Sequence, residues 1–279
     1  KYKIKLNIEK VGINQFDGFV GLVPDNTNPE ITRYRLNGNI NLQLNNALKI
    51  GETFAFKWNR ASEQTQTLLT SAKLPFLFGS PYSVNGELNF LQRDSSFVNV
   101  EYTLGAAFQT SVNESFSAFY RKRISTVFSL ENSNSSNSNF YGLSYSNQHV
   151  DHFMLPLAGW RLNLQVSIGE KSLNASGTSD SIPISINSGE NIQSSLFIPI
   201  KSQAIEYHIN LEKFWRLQKR VVLYQNFISS GIYNPYLFTN DLFILGGLNN
   251  VRGIDNNSEF ASNYFILRNE ARLHLERFS

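Results

Sequence analysis

Three groupings of residues could do chemistry. The run His149-Val150-Asp151-His152 sets two imidazoles and a carboxylate side by side, the donor types of a zinc site. Such a site needs a further strong ligand, and none stands nearby. A turn whose histidines are satisfied by neighbours accounts for the run, so no metal and no cofactor is expected. A second grouping, Arg268, Glu270, Arg272 and Glu276, alternates with other residues. On one face of a strand these charges read as ion pairs rather than as a general acid and base. The third is Gly246-Gly247-Leu248-Asn249-Asn250-Val251-Arg252-Gly253-Ile254. Its glycines suit a loop that needs positive φ. An apolar approach into Gly246-Gly247 and then Val251-Arg252-Gly253 is unusual for a loop that only meets water. The arginine beside a glycine suggests a guanidinium inserted somewhere tight. There it requires a carboxylate partner, because an unpaired buried charge is costly. Nucleophilic hydrolysis has no support: the chain has no cysteine and no Gly-x-Ser-x-Gly elbow. No enzyme is expected.

The elements that must position these residues have a period of two. Leu36, Gly38, Ile40, Leu42 and Leu44 oppose Arg35, Asn37, Asn39, Asn41, Gln43 and Asn45. Trp160, Leu162, Leu164, Val166 and Ile168 oppose Arg161, Asn163, Gln165 and Ser167. Phe265, Leu267, Ala271, Leu273 and Leu275 oppose Arg268, Glu270, Arg272, His274 and Glu276. Such runs match the roughly 9–11 residues of a strand tilted across a bilayer, whereas strands of soluble proteins are mostly about 5–6. Charged residues are 17% of the 279, below the average of about 25%. The net charge of +3 is too small to mark a nucleic-acid partner. Mean hydropathy is −0.26, and no apolar run approaches the ~18 residues of a membrane helix. That excludes a helical membrane protein but not a membrane β-barrel, whose strands average to mild hydropathy, and the long alternating runs put an all-β, antiparallel transmembrane barrel ahead of a soluble β-protein.

Twelve strands are expected, near residues 16–23, 33–45, 51–59, 65–76, 82–92, 97–109, 114–123, 139–146, 160–169, 204–214, 219–228 and 264–277. Connections alternate in length: short at 45–47, 79–81 and 216–218, long at 24–32, 124–138, 170–201 and 229–263. Short turns at one end and long loops at the other are the habit of membrane barrels. Two connections depart from it: 93–96 is short for a loop, and 147–158 is long for a turn. The Asn/Ser-rich run 131–139 and the segment 174–191 read as external loops.

The stretch 246–254, placed between the eleventh and twelfth strands, resembles the sixth external loop of the BamA/TamA/FhaC superfamily of bacterial outer-membrane barrels. Ile254 departs from the Phe or Tyr usual there. Asn14-Gln15-Phe16-Asp17-Gly18-Phe19-Val20-Gly21-Leu22 resembles the family's first barrel strand, and Asn263-Tyr264-Phe265-Ile266-Leu267-Arg268-Asn269-Glu270 its twelfth. Residues 1–10 resemble the end of a preceding POTRA domain, which leaves 11–279 as barrel. The resemblance implies a sixteen-stranded barrel with that loop folded into the lumen. The arginine matching Arg252 would meet acidic residues on later strands, so the chain is expected to be a piece of a longer one. Even strand number also permits a twelve-stranded barrel. The resemblance implies outer-membrane assembly of β-barrel clients by strand addition at a lateral gate. The gate strand would hold Phe16, Gly18, Phe19, Val20 and Gly21, its glycines weakening it. Arg268, Glu270, Arg272 and Glu276 would be lumen charges. Alternatives are a two-partner secretion transporter and a passive pore. Implied partners are outer-membrane lipids, unfolded clients or a secreted polypeptide, and accessory lipoproteins.

Overall fold

Strict alternation gives each strand one apolar and one polar face, and antiparallel pairing then continues each face from strand to strand. The computed structural model describes residues 14–25, 33–62, 65–93, 96–128, 135–153, 155–173, 201–247, 251, 253–255 and 258–273. Twelve strands form one antiparallel sheet in sequence order: β1 (Gln15–Asp25), β2 (Arg33–Asn45), β3 (Thr53–Ser62), β4 (Thr65–Leu74), β5 (Tyr82–Arg93), β6 (Phe97–Ser111), β7 (Glu114–Val127), β8 (Ser136–Val150), β9 (Gly159–Leu173), β10 (Lys201–Arg216), β11 (Val221–Tyr233) and β14 (Asn263–Leu273). Between β11 and β14 lie a short pair, β12 (Phe243–Leu245) and β13 (Glu259–Ala261). The registers keep the faces separate: Leu42 lies opposite Phe16 and Phe56, while Asn41 lies opposite Asp17 and Lys57. Among the described residues β1 and β14 each pair on one side only, so the sheet is not closed.

The apolar face is exposed on most strands, although Phe56 and Trp58 of β3 and Leu68 of β4 are half-buried. Leu104 is 63% accessible, Leu143 64% and Phe265 69%. A contiguous apolar surface of this extent belongs against lipid, not water. The polar face is the lumen side, and buried residues concentrate there: Ser138, Ser167, Glu206, Asn226 and Ser230.

All twelve expected strands are present, and several are longer than alternation alone suggested. The run 131–139 is not all loop, because Ser136 to Asn139 open β8. Ser136 and Ser138 are buried on the lumen side, where small polar residues are wall rather than loop. For the same reason β9 runs on to Leu173 and β10 starts at Lys201. Segments 1–13 and 174–200, and with them the expected POTRA strand and the 174–191 loop, lie outside the described residues.

The turn expected at 147–158 is corrected to 151–158, since β8 continues to Val150. It is a folded cap. Asp151 Oδ1 accepts from the backbone N–H groups of His152, Leu157 and Ala158 at 3.0, 2.9 and 3.1 Å. Leu157 and Val150 pack on a buried cluster of Phe214, Val222 and Tyr224 at that end of the lumen. Partial burial works against ionisation of Asp151. The N–H groups of Ala158, Leu157 and His152 and the Arg216 guanidinium outweigh it and hold the carboxyl below its usual range.

Candidate functional site

The site begins with glycines. Phe119 on β7 lies opposite Gly142 on β8, and Phe140 on β8 opposite Gly169 on β9. A Cβ on Gly142 would fall 2.1 Å from the Phe119 ring, and one on Gly169 would fall 2.6 Å from the Phe140 ring. The absent side chains therefore let both rings lie flat along the lumen wall. Arginines rest on them: Arg121 Cζ is 5.1 Å from the Phe119 centroid and Arg123 Cζ 5.4 Å from that of Phe140. Cation–π contact holds each guanidinium along the wall.

Two carboxylates hold the arginines at either side. Glu206 on β10 shares a cross-strand row with Phe119, Gly142 and Ser167, so the wall between is built of small residues. It accepts from Arg121 Nη1 at 2.8 Å and from Arg123 Nη1 at 2.6 Å. Glu101 on β6 accepts from Arg123 Nε at 2.8 Å and stands 3.4 Å from Arg121 Nε. Two positive and two negative groups thus sum to zero charge across five strands. The side chains are only 8–20% exposed, so the pairs are less screened than surface pairs.

The loop 234–262 lies above this network on the concave side. Its short helical turn, Thr239–Asp241, places Asn240 against β6 and β7. Asn99 Nδ2 donates to the Asn240 carbonyl at 2.9 Å, and Asn240 Nδ2 donates to Ser125 Oγ at 2.7 Å. Lys171 on β9 pairs with the Asp241 carboxylate and donates to the Tyr236 carbonyl at 2.7 Å. Phe260 on β13 lies 4.5 Å beneath the Arg93 guanidinium of β5. A loop that starts at β11 thus reaches β5, β6, β7 and β9 on the polar face of the sheet.

The predicted site residues divide. Gly246, Gly247 and Gly253 take φ of 115°, 91° and 88°, a region where side chains are strained. Gly247 N–H donates to the Ile254 carbonyl at 3.1 Å, drawing the two ends of the stretch together. Val251 is half-buried. Arg252 and Glu276 lie outside the described residues. Arg268, Glu270 and Arg272 share the lumen face of β14. Arg272 pairs with Glu270 at 2.9 Å and lies 3.7 Å over the Tyr224 ring of β11. Phe16, Gly18, Phe19, Val20 and Gly21 all lie on β1, exposed at the unpaired edge. Phe16, Gly18 and Val20 share the outer face with Leu42, Ile40 and Gly38 of β2; Phe19 and Gly21 are on the lumen side.

Gly18 has a packing role that the weak-strand reading did not foresee. A Cβ there would stand 2.5 Å from the Asn39 carbonyl oxygen, whereas at Gly21 it would meet nothing within 4 Å. His149 stacks on Trp160 at 5.2 Å and its Nδ1 bonds Asn147 Oδ1 at 2.8 Å, so the histidine run is tied into the wall and turn. The central quartet Glu101, Arg121, Arg123 and Glu206 was missed as a site. Its signal was the alternation Phe119, Arg121, Arg123 on one face, opposite a strand carrying Gly142.

No family model and no curated protein matches this chain. Among solved structures it is similar to BamA from Haemophilus ducreyi lacking POTRA domains 1–3, at 11% identity and a TM-score of 0.52, covering 86% of this chain and 51% of that one. The chain thus spans about half the length of the solved protein it matches. The likeness establishes a BamA-like barrel fold.

Proposed function

We propose that this chain is the barrel portion of a bacterial outer-membrane protein-assembly factor of the BamA/TamA/FhaC type. The observation that carries the reading is the loop 234–262 seated across the lumen of a twelve-stranded sheet, in a fold similar to the BamA barrel. In this reading the seam between β1 and the last strand of the whole barrel opens, and the edge of β1 pairs with a strand of an unfolded barrel client. The incoming strand exchanges solvent or lipid contacts for a ladder of backbone hydrogen bonds, and its folding is downhill. No covalent step and no cofactor enters. Residues 1–10 would close a preceding POTRA domain, and accessory lipoproteins would join the assembly.

The chain has no native cysteine, so single cysteines report without background. Val20→Cys on β1 is expected to form a disulfide with a cysteine in a client's terminal strand during assembly, and Val166→Cys on β9 is not. Equal cross-linking at both positions overturns gating at β1. Cross-linking of a passing polypeptide to Asn163→Cys on the lumen face would favour the secretion transporter instead. A large steady ion conductance in planar bilayers would favour a passive pore.

A further inference from the structure

Lys122 is out of place on the outer face of β7. It lies in the row Leu88, Tyr102, Lys122, Asn139, Glu170, with Tyr120 and Ile124 two residues to either side along its own strand, and the Glu170 carboxylate is neutralised by Lys201. Other outer-face lysines have partners: Lys201 pairs with Glu170 at 2.8 Å, and Lys213 lies 4.7 Å over the Trp215 ring. Lys122 is half-buried and has no ion pair among the described residues. An ammonium facing lipid without a counter-charge is costly unless it reaches an anionic headgroup. Beside it, Tyr120 Oη donates to Asn139 Oδ1 at 2.8 Å, which leaves the Asn139 amide hydrogens for an acceptor.

A groove of about 840 Å³ opens next to these residues on the same face. Its floor is low because Ala106 and Ala118 face each other across β6 and β7. Leu104, Tyr120, Tyr141 and Leu143 form its walls.

We propose that Lys122 and this groove hold one phosphate-bearing lipid of the surrounding bilayer. An acyl chain lies on Ala106 and Ala118, and the phosphate meets the Lys122 ammonium and the Asn139 amide. The charge selects an anionic headgroup, and the apolar groove selects a lipid over a soluble phosphate. The inference rests only on the sheet spanning a membrane, so it stands or falls separately from assembly activity.

The test places the full chain in nanodiscs of phosphatidylcholine with a minor fraction of phosphatidylglycerol, then reads co-retained lipid by native mass spectrometry. The parent and Lys122→Arg are expected to retain one phosphatidylglycerol. Lys122→Gln is expected to retain it about tenfold less, the loss of one charge-assisted contact. Ala118→Leu, which keeps the lysine but fills the groove, is expected to lose retention as well. Equal retention by the parent and Lys122→Gln overturns the proposal, as does Ala118→Leu behaving like the parent. A protein partner retained at Lys122 in place of lipid overturns it too.

Discussion

Replacing Glu206 tests whether the lumen network holds the wall together. In Glu206→Ala, Glu101 is the carboxylate left in direct contact with the two guanidinium groups. Arg123 keeps its 2.8 Å bond to Glu101, but Arg121 keeps only a 3.4 Å contact and the Phe119 ring beneath it. Removing one partner of a fully buried pair costs about 3–5 kcal/mol. The arginine side chains here are 14% and 18% exposed, so water recovers part of that. The lost bonds are charge-assisted, at about 1.5–3 kcal/mol each. Offset by Glu101 and water, the expected net loss is about 2–3 kcal/mol. Glu206→Gln keeps one acceptor and should lose about half as much. The assay is a denaturant midpoint in detergent micelles, followed by tryptophan fluorescence, with mobility on unheated gels as the check on fold. Coupling to Arg123→Met should be of the order of 1 kcal/mol. A change below ~0.5 kcal/mol, the size of a neutral surface substitution, would refute the reasoning. Strict additivity with Arg123→Met would refute it as well.

The remaining predictions concern the edge strand, the loop and a turn. Gly18→Ala places a Cβ 2.5 Å from a β2 carbonyl, so it should loosen β1–β2 pairing and cost about 1–3 kcal/mol. Gly21→Ala should stay within ~0.5 kcal/mol; equal amide-exchange rates along β1 in the two variants would sink the distinction. Lys171→Met strips the nearly buried Asp241 of its partner, whereas Lys201→Met removes one of an exposed pair. Only the first should speed protease cleavage within 234–262, by about tenfold or more, and similar cleavage of both would count against anchoring by Lys171. Glu52, in the turn 46–52, is held below the usual carboxylate range by the Leu48 N–H, with burial opposing. The folded turn favours the charged form, so its stability is full above the ordinary pKa of about 4 and falls as pH drops through the lower folded value. Exchange protection at Leu48 and Ile50 should follow that curve, and Glu52→Gln should show the loss at neutral pH. Protection indifferent to both pH and substitution would be the contrary result.

Most of the sheet was legible because a membrane barrel writes its faces into alternate residues. Leu36 to Leu44 against Arg35 to Asn45 needs no partner to be read. The ends of strands were less legible. Ser136 to Asn139 have the composition of a loop, yet their serines line a lumen where small polar side chains are the wall. The cross-strand network was hidden for another reason. Arg123 and Glu206 are 83 residues apart, and only the registers of β7 through β10 bring them together. The inserted turn was hidden likewise: Asn240 looks like any loop asparagine until Asn99 and Ser125 receive it. Gly18 and Gly142 show the limit most plainly. Both invite a reading as flexible points, and both are positions where an opposing carbonyl or ring occupies the space of a side chain.

These placements bear on how the chain could act. The lumen is occupied at one end by the loop 234–262, fixed through Asn240 and Asp241. At the other end the turn 151–158 sets Leu157 on Phe214, Val222 and Tyr224. A polypeptide moving through the lumen would have to displace both and expose the Lys171–Asp241 pair. Strand addition at β1 disturbs neither, because the edge faces away from the loop's anchors on β5, β6, β7 and β9. In the proposed reading it needs β1 to be held in register and its seam with the last strand of the whole barrel to open. Gly18 and Gly38 meet the first need: a Cβ at either would approach the backbone of the opposite strand to 2.5 or 2.2 Å. Glu101, Arg121, Arg123 and Glu206 tie β6, β7 and β10 together on the lumen face, away from β1 in the strand order.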